Sequence, residues 1–234
     1  MPLSPWKDTI QNQFLSASDK VKRGILELCW LQREIITNDM IINQIHLKDE
    51  ISPHAISCAI NRNITKNIKD IDSFLIESND HLKFSALVVM IKDPDRSKKA
   101  IEIINQTLID GDEKEITKLL HFLKHSDYDI SEHLILKYLN SKNSELIDQT
   151  LGVISQKPQE KYLLQVIQLL ENKSVSNSVE RALLRYDKKI VCEKLLKYFS
   201  SSKSTYETKI SILGLIHQFE NREIAKTIIS SMDN

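Results

Sequence analysis

Glycine, proline and aromatic residues are all scarce in this sequence of 234 residues, which has four glycines, five prolines and 6% Phe, Trp and Tyr. Glycine is the usual residue wherever a tight turn needs a positive φ, and a sheet protein of this size needs many such turns. Phosphate-binding loops depend on glycine as well. The shortage therefore favours helices with short polar connections, and it disfavours β-rich folds and glycine-dependent nucleotide folds.

The sequence also has no excess of charge, because 32 Lys and Arg balance 32 Asp and Glu. Proteins that track phosphates usually carry a basic excess, since released counterions supply most of their affinity. Nor does any apolar run approach the roughly 18 residues that a membrane span requires. Residues 1–8 lack the charged-then-apolar order of a signal peptide. We expect a soluble, cytoplasmic chain without a membrane span, which can be a fragment of a larger protein.

Cysteines are few and odd in number: Cys29, Cys58 and Cys192. They are widely spaced and lie within apolar periodic segments. This pattern predicts reduced, buried thiols rather than a disulfide framework. Cys192 has no histidine near it in sequence, which favours a buried thiol over a nucleophile.

Helix starts are marked by proline and by capping residues. Proline is favoured at the first helical position with Ser or Asp before it, as at Ser52-Pro53 and Asp93-Pro94. A capping box places an acidic residue three positions after the N-cap. That spacing occurs at Asp112/Glu115, Asp129/Glu132 and Ser204/Glu207.

Apolar residues between these marks recur at intervals of three and four, as at Leu163, Val166, Ile167 and Leu170. A period of about 3.6 residues with polar breaks is typical of amphipathic helices. The pattern therefore predicts an all-α fold of about fifteen helices. Their ranges are 5–16, 19–35, 39–48, 53–62, 64–77, 80–91, 94–109, 113–125, 130–140, 144–155, 158–171, 176–186, 188–200, 205–219 and 222–231.

A repeat of about 30 residues runs through the later helices. Pairs of small or apolar residues recur in every second helix, at spacings of 33, 31, 32 and 30 residues. They are Ala86-Leu87, Leu119-Leu120, Thr150-Leu151, Ala182-Leu183 and Ile212-Leu213. Aligned apolar residues of the intervening helices recur with a similar period, at Leu108, Leu139, Leu170 and Phe199. One helix pair cannot bury both of its faces alone, so copies stack on one another. We predict an α-solenoid of about five antiparallel helix pairs over 79–234, and a helical part over 1–78 made of degenerate repeats or a cap.

Two segments resemble known helical repeats. The segment from Leu82 to Leu87, followed by Lys92-Asp93-Pro94-Asp95, resembles a HEAT-repeat unit with an apolar A helix, an Asp-Pro-Asp turn and a B helix. The resemblance covers about 78–232. It implies a HEAT-like, armadillo-like superhelix that binds and scaffolds, with no catalytic residues to transfer. The segment from Arg181 to Asp187 is more loosely similar to HEAT-like domains appended to bacterial transporter-like membrane proteins, but it lacks their usual Gly-Asp or Gly-Glu after Tyr186.

The second helix of each pair usually lines the inner surface of such a stack, and that surface binds. Its charges are of both signs here, which suits a protein or peptide partner better than a polyanion. The predicted partner-binding residues are Lys98, Lys99, Glu102, Glu132, His133, Lys137, Lys161, Gln165, Lys189, Glu193, Lys194 and Lys197. We therefore predict a non-catalytic interaction scaffold of unknown oligomeric state.

The alternative is a nucleic-acid-binding or DNA-base-repair protein on a HEAT-like scaffold. Some HEAT-like proteins, including a class of alkyl-base DNA glycosylases, bind DNA on a concave basic face. The basic stripe would here consist of Lys188, Lys189, Lys194 and Lys197, continued by Lys203 and Lys209. Ile190 and Val191 interrupt this stripe, and the zero net charge disfavours it.

Motifs of catalysis are missing. The sequence has no Gly-x-Ser-x-Gly, no His-Glu-x-x-His and no phosphate loop ending in Gly-Lys-Ser/Thr. We therefore predict neither enzymatic activity nor a cofactor. The best metal candidate is His121 and His125, one helical turn apart, with Asp127, Asp129 and His133 after them. A polar helix margin followed by a turn and the next N-cap explains these residues better, so we predict no metal site.

Overall fold

A computed structural model describes residues 4–29, 34–201 and 204–218, and all regular elements of this part of the chain are helices. The α-helices are α1 Ser4–Phe14, α2 Asp19–Leu28, α3 Asn38–His46, α4 Ser52–Arg62, α5 Asp80–Ile91, α6 Ser97–Asp110, α7 Glu113–Leu123, α8 Glu132–Leu139, α9 Ser144–Gln156, α10 Glu160–Gln168, α11 Ser176–Leu183, α12 Lys188–Phe199 and α13 Tyr206–Gln218. Short 3-10 helices cover Thr65–Asn67, Ile71–Ile76 and Leu169–Glu171. The predicted all-α class is confirmed for these residues. The predicted helix 222–231 and Lys203 lie outside them.

One predicted helix, 64–77, is wrong. This segment forms two 3-10 helices, and Asp70 between them has a φ of 50° and a ψ of 33°. A left-handed conformation at a residue with a Cβ interrupts a right-handed helix. Ile68, just before it, is extended with a φ of −79° and a ψ of 107°. The side chains of Ile71 and Phe74 are nevertheless buried, so the apolar pattern here reflects core contacts without an α-helix.

The capping box at Asp112 is confirmed. An Asp112 carboxylate oxygen accepts a hydrogen bond from the backbone N–H of Glu115 at 2.8 Å, and the Glu115 carboxylate accepts one from the backbone N–H of Asp112 at 3.4 Å. These two bonds satisfy N–H groups that the first turn of α7 leaves without an intrahelical partner.

The other two capping boxes are wrong. Helix α8 begins at Glu132 itself, after Ser131, so Asp129 lies too far from the first turn to cap it. Helix α13 is capped by Thr205, whose hydroxyl oxygen accepts a hydrogen bond from the backbone N–H of Thr208 at 3.2 Å, rather than by Ser204.

The chain forms two compact units, Met1–Thr107 and Leu108–Asn234. In the first unit, α4 packs against α2, α3 and α5, and α5 packs against the 3-10 helix Ile71–Ile76. Ile56, Phe74 and Phe84 are fully buried in this unit. The division at residue 78, made from the repeat, stays a prediction.

The second unit is built from helices that pack on their next-but-one neighbours. Helix α9 packs against α7 and α11, and α10 packs against α8 and α12. Contacts of α8 with α9 and of α10 with α11 join the two sets. Helix α13 packs against α12 and the 3-10 helix Leu169–Glu171. We call α8, α10 and α12 the even layer, because they lie side by side.

The positions aligned by the repeat share one environment. The first residue of each aligned pair has no solvent exposure: Ala86, Leu119, Thr150, Ala182 and Ile212. The aligned positions of the intervening helices are at most 4% exposed: Leu108, Leu139, Leu170 and Phe199. The aligned residues are therefore core residues, as their spacing predicts.

Tyr138 connects two helices across the core of the second unit. Its side chain is buried, and its hydroxyl donates a hydrogen bond to the backbone carbonyl oxygen of Leu108. Burial raises the pKa of Tyr138 from 10.0 to about 12, since a phenolate is poorly solvated inside the protein.

We expect Tyr138→Phe to lower the free energy of unfolding by about 1–2 kcal/mol at neutral pH, because a buried carbonyl loses its donor. The pKa is raised in the folded state, so the contribution of the neutral phenol is complete below pH 10 and falls as the pH rises toward 12. Urea unfolding at neutral pH and at about pH 11 measures both effects. The wild type should lose more stability than the variant on this shift, and equal losses would contradict the prediction.

Candidate binding surface

The predicted partner-binding residues are distributed over both units. Lys98, Lys99 and Glu102 are exposed on α6 in the first unit. The other nine lie on α8, α10 and α12, so the packing of the second unit brings them onto the even layer. Eight of these nine are exposed and Gln165 is half-buried. Their role in binding stays a prediction.

Ion pairs connect neighbouring helices of the even layer. The Lys161 Nζ lies 3.1 Å from a carboxylate oxygen of Glu132, and the Lys194 Nζ lies 3.3 Å from one of Glu160. The hydrogen bonds that the Lys161 ammonium donates to Glu132 and Tyr162 raise its pKa. Such exposed pairs contribute little to stability because water screens them. Their effect is to hold long side chains in a regular arrangement on the surface.

Positive charge is concentrated on α12. This helix has the lysines Lys188, Lys189, Lys194 and Lys197, but Glu193 is its single acidic residue. Apart from Lys194, these lysines form no ion pair within the described part of the chain. One end of the even layer is therefore basic, while its middle carries charges of both signs.

An exposed apolar side chain lies at the centre of α10. Leu164 is 47% exposed, although the leucine before it is fully buried. The neighbouring Gln165 has an amide oxygen that is buried, and therefore out of reach of a molecule on the surface, and that has no hydrogen-bond partner in the described structure. Sequence analysis missed Leu164 because an isolated exposed leucine does not disturb a helical pattern.

A concave groove of about 440 Å³ lies in the first unit and was not predicted. Its floor is apolar, with Ile68, Ile71, Val89 and Met90, and its rim carries Lys66, Lys92 and Arg96. Ion pairs with Asp72 at 3.1 Å and with Asp93 at 3.2 Å hold the Arg96 guanidinium. Asp72 also pairs with the predicted binding residue Lys99 at 3.0 Å. The groove depends on the 3-10 segment around Asp70, which sequence periodicity did not predict.

The histidines near the end of α7 are not arranged as metal ligands. In the described part of the chain, no three His, Cys, Asp or Glu side chains are grouped closely enough to hold a metal ion. His121 is exposed, and its Nδ1 lies 3.4 Å from the Nζ of Lys124. An ammonium group at this distance competes with a metal cation for the same nitrogen.

The three cysteines are free and buried, as predicted. Cys29 directly follows α2 and Cys58 lies within α4, both in the first unit. Burial raises the pKa of the Cys192 thiol.

These observations define an all-α protein whose described helices are all too short or too polar to cross a membrane. Comparison with family models, with curated proteins and with solved structures found no match for the chain. The likeness to HEAT repeats therefore stays a prediction based on the residues that carry it.

Proposed function

We propose that this chain is a non-catalytic interaction scaffold whose even layer binds a protein or peptide segment. One observation carries the proposal: three helices packed side by side present exposed charges of both signs around the exposed Leu164. Interfaces combine an apolar anchor with complementary charges, and the anchor contributes most of the affinity. The even layer supplies both in one place.

The proposal includes a HEAT-like α-solenoid for the second unit. Support comes from its side-chain contacts between elements, which recur at a separation of about one helix pair. They include Tyr138 to Leu108, Ser141 to Glu113, Lys157 to Asp127, Ser178 to Asp148 and Tyr198 to Glu171, at separations of 30, 28, 30, 30 and 27 residues. In a stack of repeated pairs each unit contacts the next, and this separation is the expected one.

The charge distribution indicates the kind of segment that fits. The basic end at α12 favours acidic residues of the partner, while Lys161 in the middle of the layer is already held by Glu132. A segment with an apolar side chain over Leu164 and acidic residues toward α12 complements both features.

Capture from an extract of the native cells, with and without nuclease, tests this function. The test variant is Lys189→Glu/Lys197→Glu, since neither lysine forms an ion pair in the described structure. The control is Lys114→Glu/Lys142→Glu, which reverses two exposed charges that lie outside α8, α10 and α12. We expect a nuclease-resistant protein partner that the control retains and the test variant binds about tenfold more weakly, or about 1.4 kcal/mol.

Two results would overturn the proposal. If both double variants capture the partner as well as the wild type does, the even layer is not the binding surface. If nuclease abolishes all capture and duplex DNA binds at low salt, the nucleic-acid alternative is correct.

A further inference from the structure

The concave groove of the first unit has a volume of about 440 Å³, and the described residues that line it all lie within 63–96. Small-molecule sites are concave regions of about 300–1,000 Å³ whose lining is mostly apolar, with a few polar groups that orient the ligand. The groove has this size and this composition. Its described lining includes no residue of the even layer, so a ligand here is independent of the partner proposed for that layer.

The backbone and a set of ion pairs give the groove its shape without a ligand. Asp70 has a left-handed backbone and turns the chain between two 3-10 helices. The second of these carries Asp72, which pairs with Arg96 at 3.1 Å and with Lys99 at 3.0 Å. Arg96 also pairs with Asp93 at 3.2 Å, so the 3-10 helix is tied to the start of α6. A site that is already formed loses little conformational entropy on binding.

The charges around the groove are mainly positive. The charged residues that line it are three cations and one carboxylate: Lys66, Lys92, Arg96 and Asp93. Arg96 is already paired with Asp72 and Asp93. Lys66 and Lys92 are exposed and form no ion pair within the described part of the chain. Two ammonium groups therefore lie beside one concavity without a carboxylate of their own, and an anionic ligand complements them.

The apolar part of the lining is aliphatic. It consists of Ile68, Ile71, Val89, Met90 and Pro94. Val89 and Ile68 keep small exposed fractions, and Pro94 at the edge is exposed. The methylene stems of Lys66 and Lys92 add apolar surface at the rim. None of the described lining residues is aromatic, so a nucleobase has no ring to stack on here. An alkyl chain is the apolar group that suits such a lining.

We propose that this groove binds a medium-chain fatty acid, with the carboxylate at Lys66 and Lys92 and the alkyl chain along the aliphatic lining. Ammonium groups donate charge-assisted hydrogen bonds to a carboxylate. Asn63 and Thr65 line the same groove and supply an amide and a hydroxyl donor. Each methylene that leaves water strengthens binding by up to about fourfold. The lysines distinguish the acid from a neutral molecule of equal length.

Met90 reports on occupancy directly, because it lines the groove, whereas Met40 lies on α3 and does not. The full chain is labelled with 13C at its methionine methyl groups and titrated with sodium octanoate at neutral pH, and NMR follows the methyl signals. Met90→Leu assigns the Met90 signal. We expect this signal to shift saturably, with one octanoate bound per chain, while the Met40 signal stays in place.

Related ligands and rim variants test the two halves of the site. Decanoate should bind about tenfold more tightly than octanoate, since two more methylenes leave water. Octanol should bind about tenfold more weakly, because it has no charge for the lysines. Lys66→Gln/Lys92→Gln should weaken octanoate about tenfold and leave octanol unchanged. The matched control, Lys20→Gln/Lys69→Gln, removes two exposed charges of the same unit that do not line the groove, and should bind as the wild type does.

Other outcomes would overturn the proposal. It fails if the Met90 signal does not move below the concentration at which octanoate forms micelles, or if the Met40 signal moves with it. It also fails if octanol binds as tightly as octanoate, or if the rim variant binds octanoate as well as its control does. The wild-type titrations answer the first questions even if a variant does not fold, and circular dichroism checks each variant.

Discussion

Leu163→Ala should lower the free energy of unfolding by about 2–5 kcal/mol, whereas Leu164→Ala should change it by less than about 1 kcal/mol. The two leucines are adjacent on α10, so the substitutions have the same effect on helix propensity. Leu163 is fully buried and Leu164 is 47% exposed. The buried leucine loses its contacts and leaves a cavity, while the exposed one loses little contact with the core. Urea denaturation followed by circular dichroism measures both values.

Comparison of Leu163→Ala with Leu164→Ala also separates an effect on folding from an effect on partner binding. If Leu164 anchors the partner, Leu164→Ala should weaken capture by about tenfold in a protein that stays fully folded. Equal destabilisation by the two substitutions would show that α10 is oriented differently from the structure. Normal capture by Leu164→Ala would remove this leucine from the proposed surface while leaving the charge-reversal test intact.

Asp49→Ala should lower the free energy of unfolding by about 2–4 kcal/mol, because one carboxylate serves three donors at the start of α4. It accepts hydrogen bonds from the side-chain amide of Gln44 at 2.8 and 2.9 Å. It also accepts from the backbone N–H groups of Ile51 at 2.9 Å and Ser52 at 3.0 Å. Gln44 and Ser52 are buried, so their donors are poorly placed to bond to water instead.

Two further variants check this explanation. Asp49→Asn keeps one carbonyl oxygen as an acceptor, so its loss of stability should be clearly smaller than that of Asp49→Ala. Glu50→Ala changes the neighbouring exposed carboxylate, which makes no hydrogen bond of this network, and should be nearly neutral. Thermal and urea unfolding of the three variants give the comparison. A neutral Asp49→Ala would contradict the role of this carboxylate as the acceptor for the Ile51 and Ser52 N–H groups at the start of α4.

Apolar periodicity and capping residues alone predicted most of the helices. Helix α7 shows why: Asp112 and Glu115 mark its start, and Leu119, Leu120 and Leu123 follow on one face. These signals act within one or two turns, where the geometry of the helix determines which side chains are neighbours. The repeat also identified core positions that hydrophobicity does not indicate. Thr150 is polar, yet at its aligned position it is fully buried. Its hydroxyl donates to the backbone carbonyl oxygen of Leu146, within the same helix.

The tertiary structure decided what depends on residues far apart in the chain. Residues 64–77 have a helical pattern, yet the left-handed backbone at Asp70 breaks the segment and shapes the groove beside it. The pairing of Lys194 with Glu160 requires two helices to pack at one rotation and offset. Local sequence determines which face of a helix is apolar, but not how far that face is displaced along its neighbour. A displacement of one turn would replace every such partner. The scarcity of glycine thus indicated the helical class and the cysteine pattern predicted buried free thiols, whereas only the packing of the helices decided which residues meet across them.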